Sequence, residues 1–232
     1  MIKKIIAVLV VFVLLGLVGC QQSENTINVS GNSELSVDPD EAEVWAGISI
    51  VNETAEEAQS KANEVINEII DSLRYKGISE EDIETERLNL YEERRYVDGE
   101  YKIVGWRASQ TLKISTEDLD KVGEIVDICV ENGANQINRI NFGLSEEKEQ
   151  EYKKEALAKA TENAKAKAET IADSLGVRLG KVKTVSEAQH YYRPYGYMME
   201  TTVGAKAVEE AAQVMPQKVD ITGQISLVYN VR

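Results

Sequence analysis

The chain has 232 residues, with 26 Lys and Arg against 40 Asp and Glu, a net charge of −14 and a sequence pI of about 4.7. So acidic a chain repels phosphate backbones and anionic headgroups, which excludes binding of nucleic acid or of a lipid surface through its net field. Its single histidine excludes zinc sites built on several imidazoles and leaves any histidine-based triad to His190 alone.

The chain opens "MIKKIIAVLVVFVLLGLVGC", with Lys3 and Lys4 before an apolar run from Ile5 to Val18 broken only by Gly16. That run is shorter than the about 20 residues a bilayer-spanning helix needs, and the layout is that of a secretory signal. Leu17-Val18-Gly19-Cys20 resembles a lipobox, the motif at which bacterial-type lipoproteins are cut and acylated. The expected division is therefore a signal peptide over 1–19, a lipidated Cys20 with a polar tether over 20–26, and one domain over 27–232. A diacylglyceryl group on Cys20 supplies two chains at one residue, as firm anchoring requires. The alternative is an uncleaved anchor whose cysteine is incidental.

Two strands come first. Ile27, Val29, Leu35 and Val37 share one parity, and so do Ala42, Val44, Ala46, Ile48 and Ile50, the period-two pattern of half-buried strands. Asp38-Pro39-Asp40 between them marks a turn. Asp38, Asp40 and Glu43 are hard oxygen donors, but their spacing is not that of a calcium loop.

Thr54 and Glu57 fit a capping box before a helix whose stripe runs Ala58, Ala62, Val65, Ile66, Ile69, Ile70 and Leu73 and stops at Lys76-Gly77. Asp98-Gly99 predicts a tight hairpin turn. In its second arm Val104, Trp106, Ala108, Leu112 and Ile114 fall on one face. A short helix carries Cys129 beside Leu119, Val122, Ile125 and Val126, which makes this thiol an inert core residue. Asn132-Gly133 ends that helix, and "QINRINFGL" returns as a strand. Strand, helix, two hairpin strands, helix, strand is the order of a ferredoxin-like β-α-β-β-α-β unit, so the expected class is α+β, with an antiparallel or mixed sheet and extra N- and C-terminal strands.

A long helix follows, acidic in its first turn and ended by Gly176. Tyr152, Ala156, Ala160, Ala164, Ala168 and Ala172 recur every four residues. This stripe lets a neighbour approach closely, either the chain's own sheet or a second subunit; Ala156, Ala160, Ala164 and Ala168 are the candidate oligomer face. "KVKTVSEAQ" reads as a strand. The stretch from His190 to Gln217 lacks a clear pattern, and such long connections are usually functional or disordered. Tyr191, Tyr192, Tyr195, Tyr197, Met198 and Met199 bring much apolar area to it and form a candidate contact loop, or else a lid over the chain's own sheet. The final strand alternates Val219, Ile221, Ile225, Leu227, Tyr229 and Val231 and is expected to close the sheet.

No G-x-S-x-G elbow, phosphate loop, H-E-x-x-H or C-x-x-C stands in the sequence. No catalytic residue, metal ligand or cofactor is predicted, and the chain is read as a non-enzyme.

"INVSGNSELSVDPDEAEVWAGISIVNETAEEA", "KGISEEDIETERLNLYE", "GWRASQTLKIS", the alanine-rich helix and "ITGQISLVYNV" together resemble the SIMPL-domain proteins over nearly all of residues 27–232. The resemblance implies an α+β fold, a place in the cell envelope and, as in some members, a ring- or channel-shaped homo-oligomer. Some bacterial relatives are linked to oxidative-stress defence or known as periplasmic immunogens, and a mammalian relative binds a signalling kinase. It implies no catalytic residue set. The expected function is thus a self-assembling protein held by Cys20 on the outer face of the cytoplasmic membrane. The alternative is a module binding an envelope glycan or small molecule through the tyrosines.

Overall fold

The computed structural model describes residues 25–187, 191–202 and 216–232. The chain enters along β1 (Thr26–Val37), turns at Asp38-Pro39-Asp40 and passes into a different sheet at β2 (Glu41–Asn52). From there β2, α1 (Ala55–Tyr75), β3 (Ile83–Val97), β4 (Glu100–Thr116), α2 (Val122–Glu131) and β5 (Gln136–Gly143) follow in turn. Their strands lie in the order β3-β4-β2-β5, antiparallel throughout. Each helix therefore crosses over one intervening strand, which is the split arrangement of a ferredoxin-like unit.

Local chemistry sets these elements. Thr54 Oγ1 accepts the Glu57 amide at 3.2 Å, capping α1 at its start, and Gly77 (φ 89°) releases the chain at its end. Between them Ala58, Ala62, Ile66, Ile69 and Leu73 are buried against Val44, Ala46 and Ile48 of β2 and Ala108, Leu112 and Ile114 of β4. Each large side chain so buried contributes about 1.5–3 kcal/mol. Asp98 and Gly99 both take positive φ (54° and 89°), the backbone a two-residue hairpin turn requires. Cys129 is fully buried on α2, and burial pushes its thiol up to about 12, so the thiolate a redox or nucleophilic role needs does not form at neutral pH.

The second sheet corrects the sequence reading. The terminal strand β9 does not close the ferredoxin-like sheet. After α3 (Glu146–Leu175), β6 (Leu179–Glu187), β7 (Tyr191–Arg193), β8 (Tyr195–Thr202) and β9 (Val219–Val231) complete the described elements. β9 is the centre of a four-stranded antiparallel sheet with β1 along one side and β6 and β7 along the other. The pairing of β1 with β9 runs from Thr26↔Asn230 to Val37↔Val219 without a shift.

Helix α3 lies across this sheet. Ser145 caps its start and Gly176 (φ 70°) ends it, while Glu155–Lys159 (2.8 Å) and Glu149–Lys153 tie successive turns. Ala156, Ala160, Ala164, Ala168 and Ala172 are buried beneath it.

The segment read as an unpatterned connection contains two strands. β7 pairs with β9, and β8 adds to β5 as the outer strand of the first sheet. Only partner strands in other parts of the chain satisfy their backbone groups, which is why composition around Pro194 and Gly196 did not disclose them.

Candidate functional site

Two places concentrate chemistry. The first is the junction between the sheets, where the Asp38-Pro39-Asp40 turn meets the end of β5. Asp40 Oδ1 accepts the Ser145 amide and Oδ2 the Ser145 hydroxyl, both at 2.8 Å, and the Asp40 amide donates to the Gly143 carbonyl at 3.0 Å. The Leu144 amide donates to the Tyr192 hydroxyl at 2.7 Å. Tyr192 is half-buried beside Leu35, Leu144 and Ile221, and that burial raises its phenol. A Cβ on Gly143 would stand 2.6 Å from this hydroxyl. Glu41 beside them is raised by burial first and by Glu43 and Asp40 next. These bonds fix one sheet to the other and leave the Asp40 carboxylate engaged by protein donors.

The second place is the β3–β4 hairpin. β2 pairs with β4 only as far as Asn52↔Trp106, whereas β3 and β4 stay paired to Val97↔Glu100. Beyond Gly105 the hairpin is thus a two-stranded arm. A bulge marks the departure: the register shifts between Glu93 and Arg94, and Gly105 (φ 153°) sits where a Cβ would meet the Asn52 carbonyl at 2.6 Å.

Apolar side chains stay exposed along the hairpin, Leu88 and Leu90 on the edge strand before the bulge and Tyr96, Ile103 and Tyr101 on the arm beyond it, the last 76% exposed. Tyr96 and Tyr101 meet edge to face with centroids 5.1 Å apart. Side-chain bonds tie the arm's root to the sheet. Arg107 donates to both oxygens of Glu93 (2.8 and 3.0 Å) and to Ser49 Oγ at 3.0 Å. That bidentate contact holds the Glu93 carboxyl below its usual range and the guanidinium above its own. Lys113 is raised chiefly by its hydrogen bond to Glu84.

The residues singled out from sequence are not brought together. Ala156, Ala160, Ala164 and Ala168 lie against β1 and β9 of their own chain, beside Val29, Ile225 and Leu227, so within the protomer that face is already occupied. Of the tyrosine cluster, Tyr192 reaches the junction. Tyr191, Tyr195, Tyr197, Met198 and Met199 lie on β7 and β8. Val104 leaves the face it was assigned to, because the bulge intervenes. Cys20 and His190 lie outside the described residues. Sequence reading missed the arm, although its strands far exceed the usual length of about 5–6 residues and carry more apolar side chains than two helices cover.

The architecture is that of an α+β protein in which a ferredoxin-like unit with one added strand is joined to a second, helix-covered sheet. Comparison with known proteins identifies the class more closely. The family model SIMPL, described as a protein of unknown function (DUF541), matches residues 27–229. The chain belongs to the SIMPL family.

It is 32% identical over 166 residues to the 26 kDa periplasmic immunogenic protein of Brucella melitensis, covering 69% of this chain and 66% of that protein. The chain therefore spans just under two thirds of that relative's length. It is 26% identical over 205 residues to the uncharacterized protein YggE of Escherichia coli K12, covering 86% of this chain and 82% of YggE. Over 171 residues it is 26% identical to human interleukin-1 receptor-associated kinase 1-binding protein 1, covering 73% and 62% of the two chains.

Proposed function

We propose that this chain is a non-enzymatic lipoprotein of the cell envelope. In this reading it is anchored by Cys20 on the outer face of the cytoplasmic membrane and assembles with copies of itself into a ring or channel. The observation that carries it is the exposed β3–β4 hairpin, with Leu88 and Leu90 on its edge strand and Tyr96, Tyr101 and Ile103 on its arm left in water. Several large apolar side chains left exposed on one hairpin suit a contact site. The word "periplasmic" in the name of the Brucella relative supports the location, and Leu17-Val18-Gly19-Cys20 supports the anchor.

Anchoring is tested on the full chain in its host. The wild type should partition with membranes, and Cys20→Ser should remain as uncut precursor or be released. Mass spectrometry that finds residues 1–19 on the mature wild-type chain overturns the lipoprotein reading. Assembly is tested by the solution mass of the detergent-extracted chain, and a monomer at micromolar concentration overturns it.

A further inference from the structure

We infer that two copies of this chain join by antiparallel pairing of β3 with β3 of a second copy, with Leu90 on the two-fold axis; this rests on the self-assembly reading above and names its contact. β3 is the outermost strand of its sheet. It is long (15 residues, Ile83–Val97), and its outer row of amide and carbonyl groups has no partner strand among the described residues. Such an edge is a template for another strand unless it is blunted. Here the bulges fall between Thr85 and Arg87 and between Glu93 and Arg94, so the run from Arg87 to Glu93 is regular.

That run is complementary to itself. With Leu90 opposite Leu90 of the second copy, Arg87 faces Glu93 and Glu93 faces Arg87, and at the bulged ends Glu86 faces Arg94. Opposite charges directly across a ladder stabilise it, and like charges weaken it. The neighbouring registers all carry a like-charge pair. Moving the pairing one residue towards the N-terminus sets Glu86 against Glu93, and two residues sets Glu86 against Glu92. Moving it the other way sets Arg87 against Arg94, then Arg87 against Arg95. The edge therefore specifies one register for a second copy of itself, as an isologous two-fold contact requires.

Packing agrees with charge. Leu88 and Leu90 share the face of Gln110 and Ala108 through their pairing with β4, yet they remain 56% and 41% exposed because α1 packs chiefly on β2 and β4 and only slightly on the edge strand. Pairing across the axis would set Leu90 on Leu90 and join the two five-stranded sheets into one. Glu93 is already held by Arg107, so its carboxylate is positioned to receive the second copy's Arg87.

A residue on a two-fold axis meets its own counterpart, and this makes the test sharp. Leu90→Cys in the full, membrane-anchored chain should form a disulfide-linked dimer under mild oxidation, since Cα atoms directly across a ladder fall within disulfide range. Leu88→Cys, although more exposed, should not, because its counterpart lies roughly 14 Å away along the paired strands. Buried Cys129 does not compete. In the detergent-extracted chain, Leu90→Lys should halve the mass of the assembly or reduce it further. A wild-type oligomer that Leu90→Lys leaves intact, with Leu90→Cys and Leu88→Cys crosslinking equally or not at all, overturns this contact while self-assembly stands. A monomeric wild type overturns both. Should Leu90→Lys fail to fold, the two cysteine variants decide the matter alone.

Discussion

Helix α1 meets the five-stranded sheet with Ile66, Ile69 and Leu73, whereas α3 meets the four-stranded sheet with alanines that lie over two glycines of its strands, Gly31 and Gly223. A Cβ on Gly31 would collide with the Ala160 carbonyl oxygen, and one on Gly223 would stand 2.6 Å from that of Ala156. The backbone of α3 thus rests almost directly on β1 and β9. Polar bonds stitch the contact, with Ser33 Oγ donating to the Ala156 carbonyl at 2.6 Å and Lys167 Nζ to the Ser30 carbonyl at 2.8 Å. The first layer is held by volume that fills space, the second by the absence of volume that would separate its parts. The two helix-on-sheet layers are therefore expected to respond to substitution in opposite senses.

The largest effect is expected in the first layer. Ile69→Ala leaves a cavity among fully buried neighbours and should cost about 2–5 kcal/mol in denaturant titrations. A loss under about 1 kcal/mol would mean that the first layer tolerates missing volume. In the second layer the damaging change is a gain: Gly31→Ala should cost about 1–3 kcal/mol through overpacking against α3. If it instead leaves the midpoint unchanged, the helix does not sit as close as described, and the contrast fails.

At the joint between the layers, Tyr192→Phe removes the acceptor for the Leu144 amide and should cost about 1 kcal/mol. An unchanged stability there would show that water replaces the hydroxyl. The smallest effect concerns Glu41. Its folded carboxyl is raised, first by burial and then by Glu43 and Asp40, so its ionised form is disfavoured in the fold. There is no such cost below the unfolded value, and the cost grows as pH rises through the folded one. Glu41→Gln should therefore raise the melting temperature at neutral pH and lose that gain in acid. An equal gain at both pH values would assign the effect to something other than charge.

The contrast also explains what was legible in the sequence. α1, α2 and the strands β2, β4 and β9 were readable because their apolar residues keep helical or two-residue periods, with Thr54, Asp98-Gly99 and Gly176 as local stop and start signals. The alanine stripe of α3 was equally visible, but its partner was not, since alanine fits the chain's own sheet and a second subunit alike. Gly31 and Gly223 decide for the chain's own sheet, and nothing local in β1 or β9 ties them to a helix more than a hundred residues away. The tyrosines of β7 and β8 presented the opposite difficulty: their stretch shows no strand pattern, yet backbone pairing to β9 and β5 makes two strands of it.

By itself, then, the sequence determined the elements other than β7 and β8, their caps and turns, the split ferredoxin-like order and the resemblance that the family comparison bears out. These follow from interactions within a few residues or from the parity of a single strand. Only the tertiary structure decided that β9 centres a second sheet, that α3 lies on glycine, and that β3 is left as an uncovered edge. Those outcomes depend on which distant strand satisfies a given row of amides and carbonyls, and on how far a helix of fixed width extends across a sheet. Neither is a property of any local stretch of sequence.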